Sequence, residues 1–207
     1  MKKTILCICF LFLNLFFLTI IDFKLKYEPE ETINYPKNSY QVGNLKILGT
    51  DFNKNIVQTD NNEFFLFHDE FGNKSNLGSI FLDYRNKITD RKLIIYGHNS
   101  KTLDAPFHFL EKYLNYNYAK KYSTLILETN TKTFKYKLFS VMITTNDFQH
   151  INLNFDRVGY TNHLNWLKNN SMYNFNIELE SNSEILIFQT CYYNPKNSYL
   201  LISWKKV

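Results

Sequence analysis

Reactive chemistry in this chain centres on a single thiol. Cys191 follows the apolar run of residues 184–190, "EILIFQT", whereas the other two cysteines, Cys7 and Cys9, lie inside an N-terminal apolar stretch. A thiol becomes a nucleophile when its thiolate is supported and its surroundings are partly open, and a strand end offers rigidity and access together. A cysteine beside strand residues is equally a common inert core residue. The balance rests on a basic partner, and five histidines are candidates. His68 and His108 sit among aromatic residues, His163 lies on a predicted helix and His150 in a polar loop, and none of these carries a sign of special duty. His98 differs, because it ends the run "KLIIYGH" (92–98) directly after Gly97, a residue that permits close backbone approach. Two strand-end residues about ninety positions apart can meet in space, as Cys–His pairs often do. On the residues alone, a working pair and two unrelated structural residues remain equally open. No paired Cys or His occurs at metal-ligand spacing, so no metal or cofactor is expected.

The elements that must position these residues are mostly strands. Residues 44–49, 55–58, 78–84 and 92–98 read as strands between turn-rich segments, and 124–145 splits at "TNTK" into two β runs resembling a hairpin. Residues 184–190 and 199–204 are the last strands, and 61–67 reads as a helical turn. Helical patterning occurs twice. Residues 104–114, "DAPFHFLEKYL", open with Asp104 as a cap and Pro106 in the first turn. Residues 156–170 place Leu164 and Leu167 three apart, with Tyr160 one turn earlier. Many short strands with inserted helices predict a closed or nearly closed β-barrel with helices on its rim.

The 207 residues, 44% of them hydrophobic and 17% aromatic, suffice for one domain with a sizeable core. A net charge of +5 is spread along the chain with no basic stripe, which excludes an evident nucleic-acid partner. "MKK" precedes residues 4–21, an apolar span just long enough at 1.5 Å per residue for a hydrocarbon core of about 30 Å. The following "DFKLKYEPEE" offers no small-x-small cleavage site. An uncleaved signal anchor over residues 1–26 is the expectation, with a cleaved signal peptide as its rival. Lys2 and Lys3 favour a cytoplasmic N-terminus and an extracellular domain tethered to the membrane, although Lys24 and Lys26 oppose that bias. Residues 27–43 read as a stalk and 44–207 as the folded domain that carries Cys191 and His98.

"YGHNS" (96–100) and "TC" (190–191) at the end of an apolar strand resemble the two signature sites of sortases, the membrane-anchored cysteine transpeptidases of Gram-positive bacteria. The resemblance runs from about residue 44 to the C-terminus. "NIVQTDNNEFFL", "GSIFLDYRN" and "IIYGHNSKTLDAPFHFLEKY" follow the class B pattern in order and spacing, and so does the helix-bearing connection that begins "DRVGYTNHLNWLKNN". It implies an eight-stranded barrel with peripheral helices, including a long helix between the two strands preceding the cysteine. It also implies a thioester mechanism on a C-terminal sorting signal of the Asn-Pro-x-Thr type. Cys191 would be the nucleophile and His98 the acid and base, with backbone N–H groups near Cys191 holding the oxyanion. The acceptor would be a peptidoglycan precursor amine. Residues 156–175 would wall the substrate groove, and Gln189 and Thr190 would contact substrate.

Two departures stand out. Phe188 replaces the leucine usual three residues before the cysteine, an apolar exchange. The family's arginine at the start of the last strand is absent: Ser198 takes its position, with Tyr199 as the one-residue alternative, and no arginine follows Arg157. Lys196 is a possible substitute as a point charge, and Arg85 and Arg91 are further cations that the fold could bring over. Three readings follow: an active transpeptidase, a peptide-binding module with impaired turnover, and a hydrolase that passes the acyl group to water.

Overall fold

The computed structural model describes residues 40–100, 102–145 and 148–207. Eight strands alternate with short helices. They are β1 (Gln41–Ile47), β2 (Asn53–Val57), β3 (Phe81–Leu82), β4 (Lys92–Tyr96), β5 (Thr124–Glu128), β6 (Thr133–Thr145), β7 (Ile185–Tyr192) and β8 (Ser198–Lys206). They close into a barrel in the order β1-β2-β3-β4-β7-β8-β6-β5, with β1 and β5 completing the ring. The α-helices are α1 (Tyr116–Lys121) and α2 (Arg157–Asn169), and 3-10 turns span Phe64–Leu66, His108–Leu114 and Phe148–Ile151.

The period of two along a strand sorts side chains between the faces of the barrel wall. Leu93 and Ile95 of β4, Leu186 and Phe188 of β7, and Leu200, Ile202 and Trp204 of β8 fill the interior. The intervening Ile185, Ile187 and Leu201 point outward, where Tyr160, Leu164 and Leu167 of α2 cover them. Strands buried on both faces read as unbroken apolar runs, which is why 184–190 and 199–204 show little alternation. Helix α2 starts where Asp156 Oδ1 accepts from the Gly159 N–H at 2.6 Å. Burial of Leu164 or Leu167 contributes roughly 1.5–3 kcal/mol each, so Leu164→Ala would loosen this cover.

The structure departs from the sequence expectation in three places. The first strand begins at Gln41, inside the stretch read as stalk. Residues 104–107 are not helical. Asp104 caps nothing there, because the Phe107 N–H donates to the His98 carbonyl at 2.9 Å and the Phe107 ring packs on Phe188 at 5.0 Å. Helical structure starts at His108 instead, and Asn115 caps α1 by accepting from the Tyr118 N–H. Only Phe81 and Leu82 of residues 78–84 pair as strand, since a turn closed by Asn86 N–H to Asp83 O at 2.9 Å ends the run. The expected anchor over 1–26 and the first part of the stalk lie outside the described residues. Among the described residues no helix is long and apolar enough to cross a membrane.

Candidate active site

Strands β4 and β7 run parallel, with Tyr96 level with Gln189 at their C-terminal ends. The Gly97 N–H donates to the Gln189 carbonyl at 3.3 Å, and Thr190 Oγ1 donates to the Gly97 carbonyl at 2.7 Å. The backbone pairing stops at the Gly97–Gln189 bond; His98, two residues past the end of β4, and Cys191, two residues past Gln189 on β7, lie at the same end of adjacent parallel strands. Cys191, still within β7, keeps the outward parity of Gln189. Cys191 is exposed and His98 half-buried. Gly97 is required between them and the core, since a Cβ there would meet Phe107 Cδ2 at 2.7 Å.

No hydrogen bond joins the two side chains. His98 Nε2 lies 2.7 Å from the Leu66 carbonyl, an acceptor only, so this nitrogen carries a proton and donates it. Nδ1 is therefore the nitrogen left to exchange protons. Although the residue as a whole is exposed, partial desolvation of its sulfur by the surrounding protein pushes the Cys191 thiol above its ordinary value, so the neutral thiol dominates at neutral pH.

At the start of β8, Ser198 and Tyr199 face opposite sides of the barrel wall. Ser198 shares the inward side of Leu200 and Ile202, is 2% exposed, and donates to the Pro195 carbonyl at 2.7 Å. It does not face the thiol. Tyr199 does: it is the register partner of Cys191 across β7 and β8, and Thr144 of β6 flanks it on the other side. Thr144, Tyr199 and Cys191 thus form one row across the outer face, with His98 beyond it past the end of β4. Lys196 is exposed on the β7–β8 loop and has no ion pair among the described residues. The other two cations are committed elsewhere. Arg85 holds the buried Asp83 carboxylate through bonds of 2.9 and 2.7 Å. Although burial works to raise the Asp83 pKa, the Arg85 bonds and the Tyr96 hydroxyl hold it below the usual carboxylate range. Arg91 stacks on Tyr160 at 3.9 Å, near the start of β4 and about 20 Å along the strands from Cys191.

Of the two residues before the thiol, Thr190 is 2% exposed and turned inward, while Gln189 lies on the outer face. Gln189 Oε1 accepts from His150 Nε2 at 2.8 Å. The sequence marks His150 as an idle loop residue, yet it is fully buried, and its ring lies 5.9 Å from that of Tyr199. Its carbonyl accepts from Lys92 Nζ at 2.8 Å, and the Asn152 carbonyl does so at 2.6 Å. Burial and the Arg85 charge push Lys92 down to about 7. Nothing local in "FQHINLN" signals that a buried lysine from β4 pulls this loop onto the barrel wall. Among the described residues no group of three His, Cys, Asp or Glu side chains suits a metal ion.

This arrangement matches known proteins over most of its length. The sortase domain family model covers residues 45–205. Sortase B of Listeria monocytogenes is 32% identical over 157 residues, 74% of this chain and 63% of that protein. Sortase B of Staphylococcus aureus is 30% identical over 155 residues, 72% and 62%. The chain thus spans less than two-thirds of either curated relative. Among solved structures, Clostridium perfringens sortase B superposes with a TM-score of 0.76 at 27% identity, over 82% of this chain and 95% of that one. A closed eight-stranded barrel with a cysteine and a histidine at the same end of adjacent parallel strands, together with these matches, places the chain in the sortase family, class B type.

Proposed function

We propose that the chain is a membrane-tethered cysteine transpeptidase that cleaves a C-terminal sorting signal of the Asn-Pro-x-Thr type and joins the surface protein to a cell-wall amine. The observation that carries this reading is that Cys191 on β7 and His98, just past β4, lie at the same end of adjacent parallel strands, where Asn99 Nδ2, next to His98, donates to the Cys191 carbonyl at 3.0 Å. The Cys191 thiolate attacks the carbonyl carbon after the signal's threonine, and the tetrahedral oxyanion collapses with loss of the C–N bond. His98, as imidazolium, gives its Nδ1 proton to the departing amine while Nε2 stays on Leu66. A peptidoglycan precursor amine then attacks the thioester, His98 takes up its proton, and Cys191 leaves as thiolate. Gln189, whose amide NH2 group has no partner among the described residues, donates to the peptide backbone. A Staphylococcus aureus sortase B has been solved as a substrate complex, and a sortase B in complex with triglycine, which supports a peptide donor and an amine acceptor. The N-terminal apolar span supports a domain held outside the cell.

The absence of the family arginine favours a second reading, a peptide-binding module with impaired turnover. Incubating the full chain with an Asn-Pro-x-Thr peptide and triglycine separates the readings by product mass. Peptide–triglycine amide supports transfer, free peptide acid identifies a hydrolase, and bound but uncleaved peptide identifies the module.

A further inference from the structure

Behind the row of reacting groups lies a set of polar side chains that the mechanism above does not use. Asn99, immediately after His98, is 3% exposed. Its Nδ2 donates both to the Cys191 carbonyl at 3.0 Å and to Glu111 Oε1 at 2.6 Å. Its Oδ1 accepts from His108 Nδ1 at 2.9 Å, and its backbone carbonyl accepts from the Tyr193 hydroxyl at 2.8 Å. Four segments converge on this one residue: the exit of β4, the 3-10 turn His108–Leu114, the exit of β7 and the β7–β8 loop.

The ladder between β4 and β7 ends at the Gly97–Gln189 bond, so no backbone pairing ties His98 to Cys191. The Asn99 side chain takes over where the ladder stops. Its amide is the right group for the task, because only an amide offers two donors to Cys191 O and Glu111 together with an acceptor for His108. Glu111 in turn orients the NH2 end, and the protonated Nδ1 of His108 orients the oxygen end, so the side chain cannot flip.

We infer that Asn99 is a positioning residue for the transpeptidation proposed above, holding the Cys191 peptide close to His98 through its bond to the Cys191 carbonyl, with Glu111 and His108 fixing its orientation. Loss of that bond lets the thiol drift from the imidazole. A misplacement of about 1 Å between reacting groups slows a reaction by up to about a hundredfold.

The test is a donor–acceptor exchange in the full-length chain, Asn99→Asp combined with Glu111→Gln. The amide introduced at 111 would then donate to the carboxylate introduced at 99, which also accepts from His108. The bond to Cys191 O alone is replaced by a contact between two acceptors. Two readouts are taken below the melting temperature: acylation by an Asn-Pro-x-Thr peptide, followed by intact mass, and the pH midpoint of Cys191 alkylation by iodoacetamide. The expected result is acylation ten- to hundredfold slower through kcat with KM held; the alkylation midpoint is read in Asn99→Ala, which brings no new charge to the thiol, and moves down as the loosened thiol gains water. Asn99→Gln, which keeps both donors, is expected to recover part of the acylation rate. Acylation within threefold of the parent in the double variant, with an unmoved midpoint in Asn99→Ala, would overturn the inference. If the parent itself forms no acyl adduct, the transpeptidase reading fails, whereas the alkylation midpoint still decides the role of Asn99.

Discussion

Restoring a guanidinium opposite the thiol perturbs the site most informatively. Tyr199 and Cys191 are register partners on the outer face, so their Cβ atoms lie about 5 Å apart. An arginine at 199 spans that gap and presents several charge-assisted donors to the developing oxyanion. One such donor is worth about 2.7–4 kcal/mol in the transition state. A tyrosine hydroxyl, as a neutral donor, recovers about 1 kcal/mol at most. The difference, about 2–3 kcal/mol, corresponds to about a 30- to 160-fold gain in rate for Tyr199→Arg. The exchange also removes a ring that packs over His150, which costs about 1 kcal/mol of stability without bearing on rate below the melting temperature. The control is Ser198→Arg. That position is 2% exposed and turned inward, so a guanidinium there destabilises the barrel by several kcal/mol and gains no rate. The assay is single-turnover acylation by an Asn-Pro-x-Thr peptide, quenched and weighed. A Tyr199→Arg chain no faster than the parent, or a Ser198→Arg chain that is faster, would refute the parity argument.

Other consequences follow from the buried polar groups. Because partial desolvation raises the Cys191 pKa, its alkylation by iodoacetamide should keep accelerating above pH 9; a plateau by pH 8 contradicts this. Lys92 titrates at about 7 when folded and at 10.5 as a free side chain, so the unfolded chain binds more protons between those values and stability rises with pH across that window. Lys92→Met should abolish that rise, which amounts to at most about 5 kcal/mol because the two carbonyl bonds to Nζ offset part of it; melting temperatures at pH 7 and 10 measure it, and an unchanged slope refutes the assignment. His163, stacked at 4.8 Å on Phe155 with Nε2 buried and unpartnered among the described residues, is pushed down to about 3 by burial and by the Lys92 and His150 charges. His163→Phe should therefore stabilise the chain by about 1 kcal/mol in urea titrations, and a loss of stability would show that Nε2 has a partner.

Much of this is legible in the sequence where local pattern and chemistry coincide. The hairpin split at 129–132, the helix capped by Asp156 and the end of β4 just before Gly97 carry their own signals in turn residues and apolar spacing, whereas β7 runs on past Thr190 to Tyr192. The position opposite the thiol is not legible, for a geometric reason. Side chains alternate between faces, so a one-residue ambiguity between Ser198 and Tyr199 exchanges a buried turn anchor for the partner of Cys191. Only the pairing register distinguishes them. The roles of His150 and Asn99 are equally hidden, because each is defined by contacts with residues 39 to 92 positions away. The helix expected from Asp104 fails because a long-range contact, Phe107 on Phe188, outweighs a local capping signal.

In the proposed reaction Cys191 forms an acyl bond with the help of His98. Intact-mass analysis of the full chain after incubation with an Asn-Pro-x-Thr peptide tests it most directly. The expected result is an adduct equal to the acyl fragment, mapped to Cys191, released by hydroxylamine, absent in Cys191→Ala and strongly slowed in His98→Ala. An adduct that survives Cys191→Ala, or one that forms at the parent rate without His98, would contradict it.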